Sequence, residues 1–333
     1  MSANFLELDA DSKRDLINEI YPELGIPAEA IEKDIWICYV LDILFSIPGC
    51  PSMVFRGGTS LSKAFNAIER FSEDIDITIS HEEILPETET SQFLAMGGNK
   101  RKETLKTLSE KIVAMLQNKL APLLAERLAP HGRLQFDEDE KMTLLFFYDS
   151  CLGDSANAYI SRSIRLEFGG RNSTEPSEAI LIQSYAATIL PDFVFPKATV
   201  PVVSGSRTFW DKATLIHAAI NRFAKGKAFR EGKRDSRHWY DLYRLCGHGI
   251  GYTALTKDVY LLKEVVTHKK YFFSDNLSRY DDCLIGKIKL VPTGGMLYEL
   301  EKDYRQMIDA GMLYAHILLS KKSQTAYVFW RTR

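Results

Sequence analysis

Two aspartates stand one residue apart in an apolar run, Asp74-Ile75-Asp76-Ile77-Thr78-Ile79, and a glycine pair, Gly57-Gly58, lies upstream of them. Successive side chains of a strand point to opposite faces, so Asp74 and Asp76 project from one side and Ile75 and Ile77 from the other. Two carboxylates held side by side on a rigid strand repel one another, and a divalent cation between them removes the repulsion. Gly57 and Gly58 precede a helical pattern, where bare backbone amides at a helix N-terminus suit a phosphate. Neither signal is specific alone: Gly-Gly-Thr is a common turn, and Asp-x-Asp is usually a solvated strand edge or loop. Together at this spacing they read as apparatus for transferring a nucleotidyl group from a nucleoside triphosphate with Mg2+ or Mn2+. Asp74 and Asp76 are the expected metal ligands.

A third acid lies in a later alternating run, in which Ile164, Leu166 and Phe168 share one face and Arg165 and Glu167 the other. An acid in the middle of such a strand is costly unless it is exposed or paired. Glu167 is therefore either a third carboxylate for the Asp74/Asp76 site, as metal ligand or base, or the partner of Arg165 or Arg171 at a sheet edge.

These residues need a framework. Helices are expected over 11–20 and about 27–46, with Pro27 in the first turn of the second and Pro48 just beyond its end. A short strand follows at 53–55, a helix at 59–67, and the aspartate strand at 74–79. Residues 88–127 read as a long helical region broken near Gly97-Gly98; its basic face (Lys100, Arg101, Lys102, Lys106 and Lys111) is most simply a solvated surface. Strands are expected near 132–137, 142–149, 160–168, 179–185 and 199–203. From about 207 the pattern is helical. The fold class is thus α/β (α+β), with a catalytic domain and its N-terminal helices over 1–205 and a helical domain over 206–333.

The second half has its own polar residues. A helix over 208–224 carries Lys212. The segment after it holds Lys225, Lys227, Arg230, Lys233, Arg234 and Arg237, six basic residues in thirteen positions. It is either a solvated loop or a landing site for the phosphates of a nucleic acid. The next helix, about 236–246, carries His238 and Asp241. Asp241 lies four residues after Arg237, so a helix-surface ion pair is the simple account of it.

The whole chain bounds these readings. At 333 residues it can bury one large core or two modest ones, and it is 45% hydrophobic and 26% charged. The net charge is −2, which excludes a global basic field, so any RNA site is a local patch. Five scattered cysteines without metal spacing suit reduced thiols. No signal peptide is evident, and the most apolar stretch, about 35–48, carries Asp42 and is too short to span a bilayer. The expectation is a cytoplasmic protein with no membrane partner.

The run Phe55-Arg-Gly-Gly-Thr-Ser-Leu-Ser-Lys63, followed by Arg70-Phe-Ser-Glu-Asp-Ile-Asp-Ile77, closely resembles the AbiEii/AbiGii toxin family of nucleotidyltransferases, the group that includes the MenT toxins. Later pieces match in order: Arg165–Arg171, Phe209-Trp-Asp-Lys212, Ser236–Leu245 and Asp303–Met307. The resemblance implies a DNA polymerase beta-type nucleotidyltransferase core sheet with flanking helices plus an α-helical C-terminal domain. It implies the toxin half of a toxin–antitoxin or phage-defence pair, whose antitoxin is a separate protein. Known relatives add nucleotides to the tRNA acceptor end and so block translation. By residue, the family pattern sets phosphates near Gly57, Gly58, Thr59 and Ser72, with Lys63 of the same motif taken as a further nucleotide-binding candidate. It sets metal at Asp74 and Asp76, and its later lysine and aspartate on Lys212 and Asp241, both taken as catalytic. His238 stands where shorter relatives have Asp, which leaves Asp235, His238 and Asp241 open for the late polar role. Two other readings compete with RNA modification: transfer of NMP to a protein hydroxyl, and a non-catalytic nucleotide-binding module.

Overall fold

The structure is a computed structural model and describes residues 3–88, 90–153, 160–227, 234–273 and 275–313. The chain divides into two compact units, Met1–Ala64 with Phe71–Val203, and Phe65–Arg70 with Ser204–Arg333.

The first unit is a seven-stranded mixed sheet with helices. Helix α1 (Ala10–Leu24) starts where Asp9 accepts the Ser12 amide at 2.9 Å, and stops where Gly25 turns left-handed at φ 64. Helix α2 (Ala28–Phe45) follows Pro27 and is buried along nearly its whole length. The strands are β1 (Met53–Arg56), β2 (Asp74–Ile79), β3 (Gly132–Phe136), β4 (Thr143–Tyr148), β5 (Ser163–Gly169), β6 (Ser177–Gln183) and β7 (Lys197–Val203), in the order β3-β4-β5-β2-β1-β7-β6. The β2–β5 and β1–β7 pairs are parallel and the rest antiparallel. The alternation seen in the sequence is the cause of this core. Ile75, Ile77 and Ile79 of β2 and Ile164, Leu166 and Phe168 of β5 are buried. The aspartate strand therefore lies in the interior of the sheet, with β1 and β5 on its flanks.

Helix α2 carries three successive charged residues, Glu32, Lys33 and Asp34, all buried. Burying a charge is costly unless it is paired, and each of these is paired. Glu32 accepts from Ser150 Oγ and the Cys151 amide, both at 2.7 Å. Lys33 donates to Glu73 at 2.7 Å and to the Ser161 carbonyl at 3.0 Å. Asp34 accepts from Lys63 Nζ at 2.5 Å and from the Tyr185 amide at 2.7 Å. Neighbouring helix residues fan out around the axis, so the triplet reaches three parts of the unit at once.

Two stretches differ from the sequence expectation. The helix read as 59–67 runs from Gly57 to Lys63 and is α3. It ends early because the chain turns at Asn66, φ 48, into Phe65–Arg70, which belongs to the second unit. The long region after residue 88 is Thr90–Ala95, Gly98–Met115, a π turn at Leu116–Leu120 and Ala121–Leu128. Pro122 has no N–H to return to the carbonyl of Asn118, which accounts for a widened turn there.

The second unit contains the helices Gly205–Phe223, Ser236–Gly247, Gly249–Thr256, Tyr260–Phe272 and Gly295–Asp309. Ser204 caps the first by accepting the Arg207 amide at 3.2 Å. Trp239 anchors the second by donating to the Leu290 carbonyl at 2.9 Å.

Candidate active site

The glycine turn and the aspartate strand meet directly. Gly57 has φ +83, and a Cβ placed on it would lie 1.9 Å from Asp76 Oδ2. Backbone conformation and lack of space both demand glycine, because the Asp76 carboxylate occupies the place of a side chain. Arg56, at the end of β1, pairs in register with Asp76. Thr59 is fully buried; its hydroxyl donates to the Asp74 carbonyl at 2.5 Å and lies 3.0 Å from Ser72 Oγ. Thr59 thus ties α3 to the first residue of β2. In this structure the hydroxyl holds the turn, and Ser72 lies against it.

Lys63, the further nucleotide-binding candidate, is enclosed. Its side chain is 2% exposed and paired with Asp34, and its ammonium lies 3.9 Å from the centre of the Tyr185 ring. Burial raises the Asp34 carboxyl, and Lys63 opposes that rise. The charge of Lys63 is paired with Asp34 and so links α3 to α2.

The acids line up across two strands. In the parallel β2–β5 pair, Asp74 stands opposite Arg165 and Asp76 opposite Glu167. Registered neighbours on adjacent strands share a face. One surface of the sheet therefore presents Asp74, Asp76 and Glu167, each only partly buried. Glu167 neighbours Asp76 by register, and Arg165 Nε donates to its Oε1 at 2.7 Å, the expected ion pair, though on a strand flanked by β4 and β2 rather than at a sheet edge. Arg165 also donates to Asp137 Oδ2 at 2.6 Å. The donor atoms are carboxylate oxygens, the hard set that suits Mg2+ or Mn2+. As they stand, no group of three His, Cys, Asp or Glu among the described residues is gathered to hold a metal ion. Glu167 is turned toward Arg165.

Lys212 and Asp241 come together in the second unit with Arg70, which the sequence reading did not single out. Arg70 grips Asp241 with two bonds, Nε to Oδ1 at 2.7 Å and Nη2 to Oδ2 at 2.9 Å. Lys212 Nζ donates to Oδ2 at 2.7 Å. Asp241 is completely buried, and its partners come from outside its own helix. Asp241 is thus an enclosed carboxylate and not the helix-surface one of the simple account. Burial works to raise the Asp241 carboxyl, but Arg70 and then Lys212 outweigh it and hold it well below the usual carboxylate range. Burial depresses the Lys212 ammonium, with Asp241 opposing. Of the three candidates for the late polar role, Asp241 is bonded by two cations, Arg70 and Lys212. The sequence signal for Arg70 was its place in Arg-Phe-Ser, just before Asp74.

His238 Nδ1 is sealed from solvent and has no hydrogen-bond partner among the described residues. Burial, then Lys212 and Arg237, push its pKa well below 6.5, so it is neutral in the folded chain. Below about pH 6.5 the unfolded chain takes up a proton that the folded chain refuses, so stability falls as pH falls. The slope for one group is at most about 1.4 kcal/mol per pH unit. His81, His131 and His217 are lowered by burial too and act in the same direction. Urea midpoints at pH 7.5 and 5.5 should therefore differ less in His238→Gln than in the native chain. An unchanged difference would remove His238 from this account.

Of the basic segment, Lys225 and Lys227 are exposed, and Arg234 and Arg237 are half-buried. Arg230 and Lys233 lie outside the described residues. Among the described residues no helix is long and apolar enough to cross a membrane.

Comparison with known proteins gives three results. No curated protein matches the chain. The solved structure of MenT4, a nucleotidyltransferase toxin from Mycobacterium tuberculosis H37Rv, is similar over 96% of this chain and 99% of its own. Its identity is 16% and its TM-score 0.37, too distant for any detail to carry across. The family described as the nucleotidyl transferase AbiEii toxin of type IV toxin–antitoxin systems matches residues 42–321, which include the glycine turn, all three acids and Lys212. With most of its length so matched, the chain belongs to the AbiEii family of nucleotidyltransferase toxins.

Proposed function

We propose that this toxin transfers NMP from a nucleoside triphosphate to RNA, at the 3' end of tRNA, in a Mg2+- or Mn2+-dependent reaction that blocks translation in the cytoplasm. The observation that carries the chemistry is the registered surface of Asp74, Asp76 and Glu167 beside Gly57. Asp74 and Asp76 would hold the cation, and Glu167 would complete the donor set. A bound divalent ion lowers the pKa of an attacking hydroxyl and offsets charge on the leaving pyrophosphate. The phosphates are proposed to lie near Gly57 and Gly58, at the start of α3. Lys212 is proposed to offset phosphate charge, the role its place in the family motif implies.

For the acceptor, support comes from the basic segment in a chain of net charge −2. Each phosphate contact made by a lysine or arginine contributes about 0.7 to 0.9 to the slope of log affinity against log salt. Neutralising Lys227, Arg230 and Lys233 together should weaken tRNA binding and flatten that slope by about two units. Filter binding at four salt concentrations measures it, and parallel lines would make the segment a plain solvated surface. The reaction itself is tested by incubating the protein with total RNA and each α-labelled triphosphate in turn. Label on RNA of tRNA size supports the reading. Label appearing only on protein would replace it with protein modification.

A further inference from the structure

The proposed metal surface already contains a cation. Arg165 stands in register with Asp74, on the same face as all three acids, and is held from two sides. Its Nε is bonded to Glu167 and its Nη1 to Asp137. These contacts differ in kind. Asp137 is 15% exposed, and its Oδ1 accepts the amides of Asp139 and Glu140, both at 3.0 Å, so its carboxylate is fixed by the turn after β3. Glu167 is 44% exposed, and Arg165 is its hydrogen-bond partner. A fork held rigidly on one side and loosely on the other can release the loose partner without itself moving.

Resting on the nucleotidyltransferase reading above, we infer that Arg165 is a positioning residue that withholds Glu167 from the metal surface until a cation displaces it. Three carboxylates on one face repel one another, and the guanidinium of Arg165 offsets that repulsion while no metal is present. When a divalent ion arrives, Glu167 exchanges Arg165 for the ion. Asp137 keeps the guanidinium in place and spares it from being left unpaired. No covalent bond forms or breaks in this exchange. The cost of parting Arg165 from Glu167 is subtracted from the affinity for metal, so Arg165 sets the metal concentration at which the site is complete.

The test is Mn2+ binding to the full chain, read by the electron paramagnetic resonance signal of the free ion. Arg165→Met should bind Mn2+ about two- to fivefold more tightly than the native chain, the upper part of the range for a partly exposed ion pair. Arg165→Gln, a second variant in case the first folds poorly, should move the same way. Glu167→Gln should bind more weakly, and adding Arg165→Met to it should change affinity by less than about twofold, because the two residues act through one contact. The rise in melting temperature on saturation with Mn2+ should be larger in Arg165→Met than in the native chain. Equal or weaker binding by both Arg165 variants overturns the inference alone. So does a gain that persists in the Glu167→Gln background, which would mark a general charge effect. Native-like Mn2+ binding by Asp76→Ala would instead overturn the metal reading, and this inference with it.

Discussion

Asp76→Ala is expected to abolish nucleotidyl transfer, by about three orders of magnitude or more, in a chain that folds as before. The loss is large because Asp76 stands at the crossing of the site's contacts. It is registered with Glu167 on β5 and Arg56 on β1, and its carboxylate fills the space over Gly57. No neighbour can supply the missing oxygens, since Asp74 and Glu167 already belong to the proposed donor set and the Thr59 hydroxyl is on the Asp74 carbonyl. Removing one of two like charges from a strand face also relieves repulsion. The melting temperature without metal should therefore hold or rise slightly. Transfer of a labelled nucleotide, with a thermal melt on the same sample, checks both halves. Native-like transfer by the variant would mean that β2 is not where the chemistry happens.

The second large effect concerns stability. Asp241→Ala is expected to cost about 3–5 kcal/mol, because it leaves Arg70 and Lys212 buried without their shared anion. Both cations are nearly enclosed, at 5% and 10% side-chain exposure. The urea midpoint of the second unit should fall accordingly, and a cost under about 1 kcal/mol would show that water or another group replaces the carboxylate. The pH sign follows from the lowered carboxyl of Asp241: its contribution is complete above the ordinary carboxylate range and is lost as acid protonates it. Acid melts of the variant should therefore be flatter below about pH 4.

What the sequence disclosed, and what it hid, divides along physical lines. Strands β2 and β5 were legible because burial of one face imposes a period of two, and Ile75, Ile77, Ile164 and Leu166 keep it without exception. That pattern also placed Asp74, Asp76 and Glu167 on polar faces, though not in register with one another. Register between β2 and β5 depends on some 90 intervening residues and leaves no local trace. The partners of charged residues were not legible. Lys63 and Asp241 sit in motifs that suggest a ligand, yet each is spent on a buried partner, Asp34 or Arg70, far away in sequence. An ion pair between distant segments has no periodicity to betray it. The excursion of Phe65–Arg70 into the second unit was hidden likewise, since six residues between a helix and a strand look like a plain connection.

The charged triplet of α2 has a bearing on how the chain finds a single structure. Apart from that triplet the helix is apolar on almost every side, so burial alone rewards many rotations about its axis nearly equally. A slip of one residue would turn it by about 100° and swing Glu32, Lys33 and Asp34 away from Cys151, Glu73 and Lys63 into hydrocarbon. Each misplaced charge would carry a penalty of several kcal/mol, far more than the greasy contacts could return. The three side chains thus act as a combination lock on the helix: the oily surface says that it must go inside, and the charges say which way round.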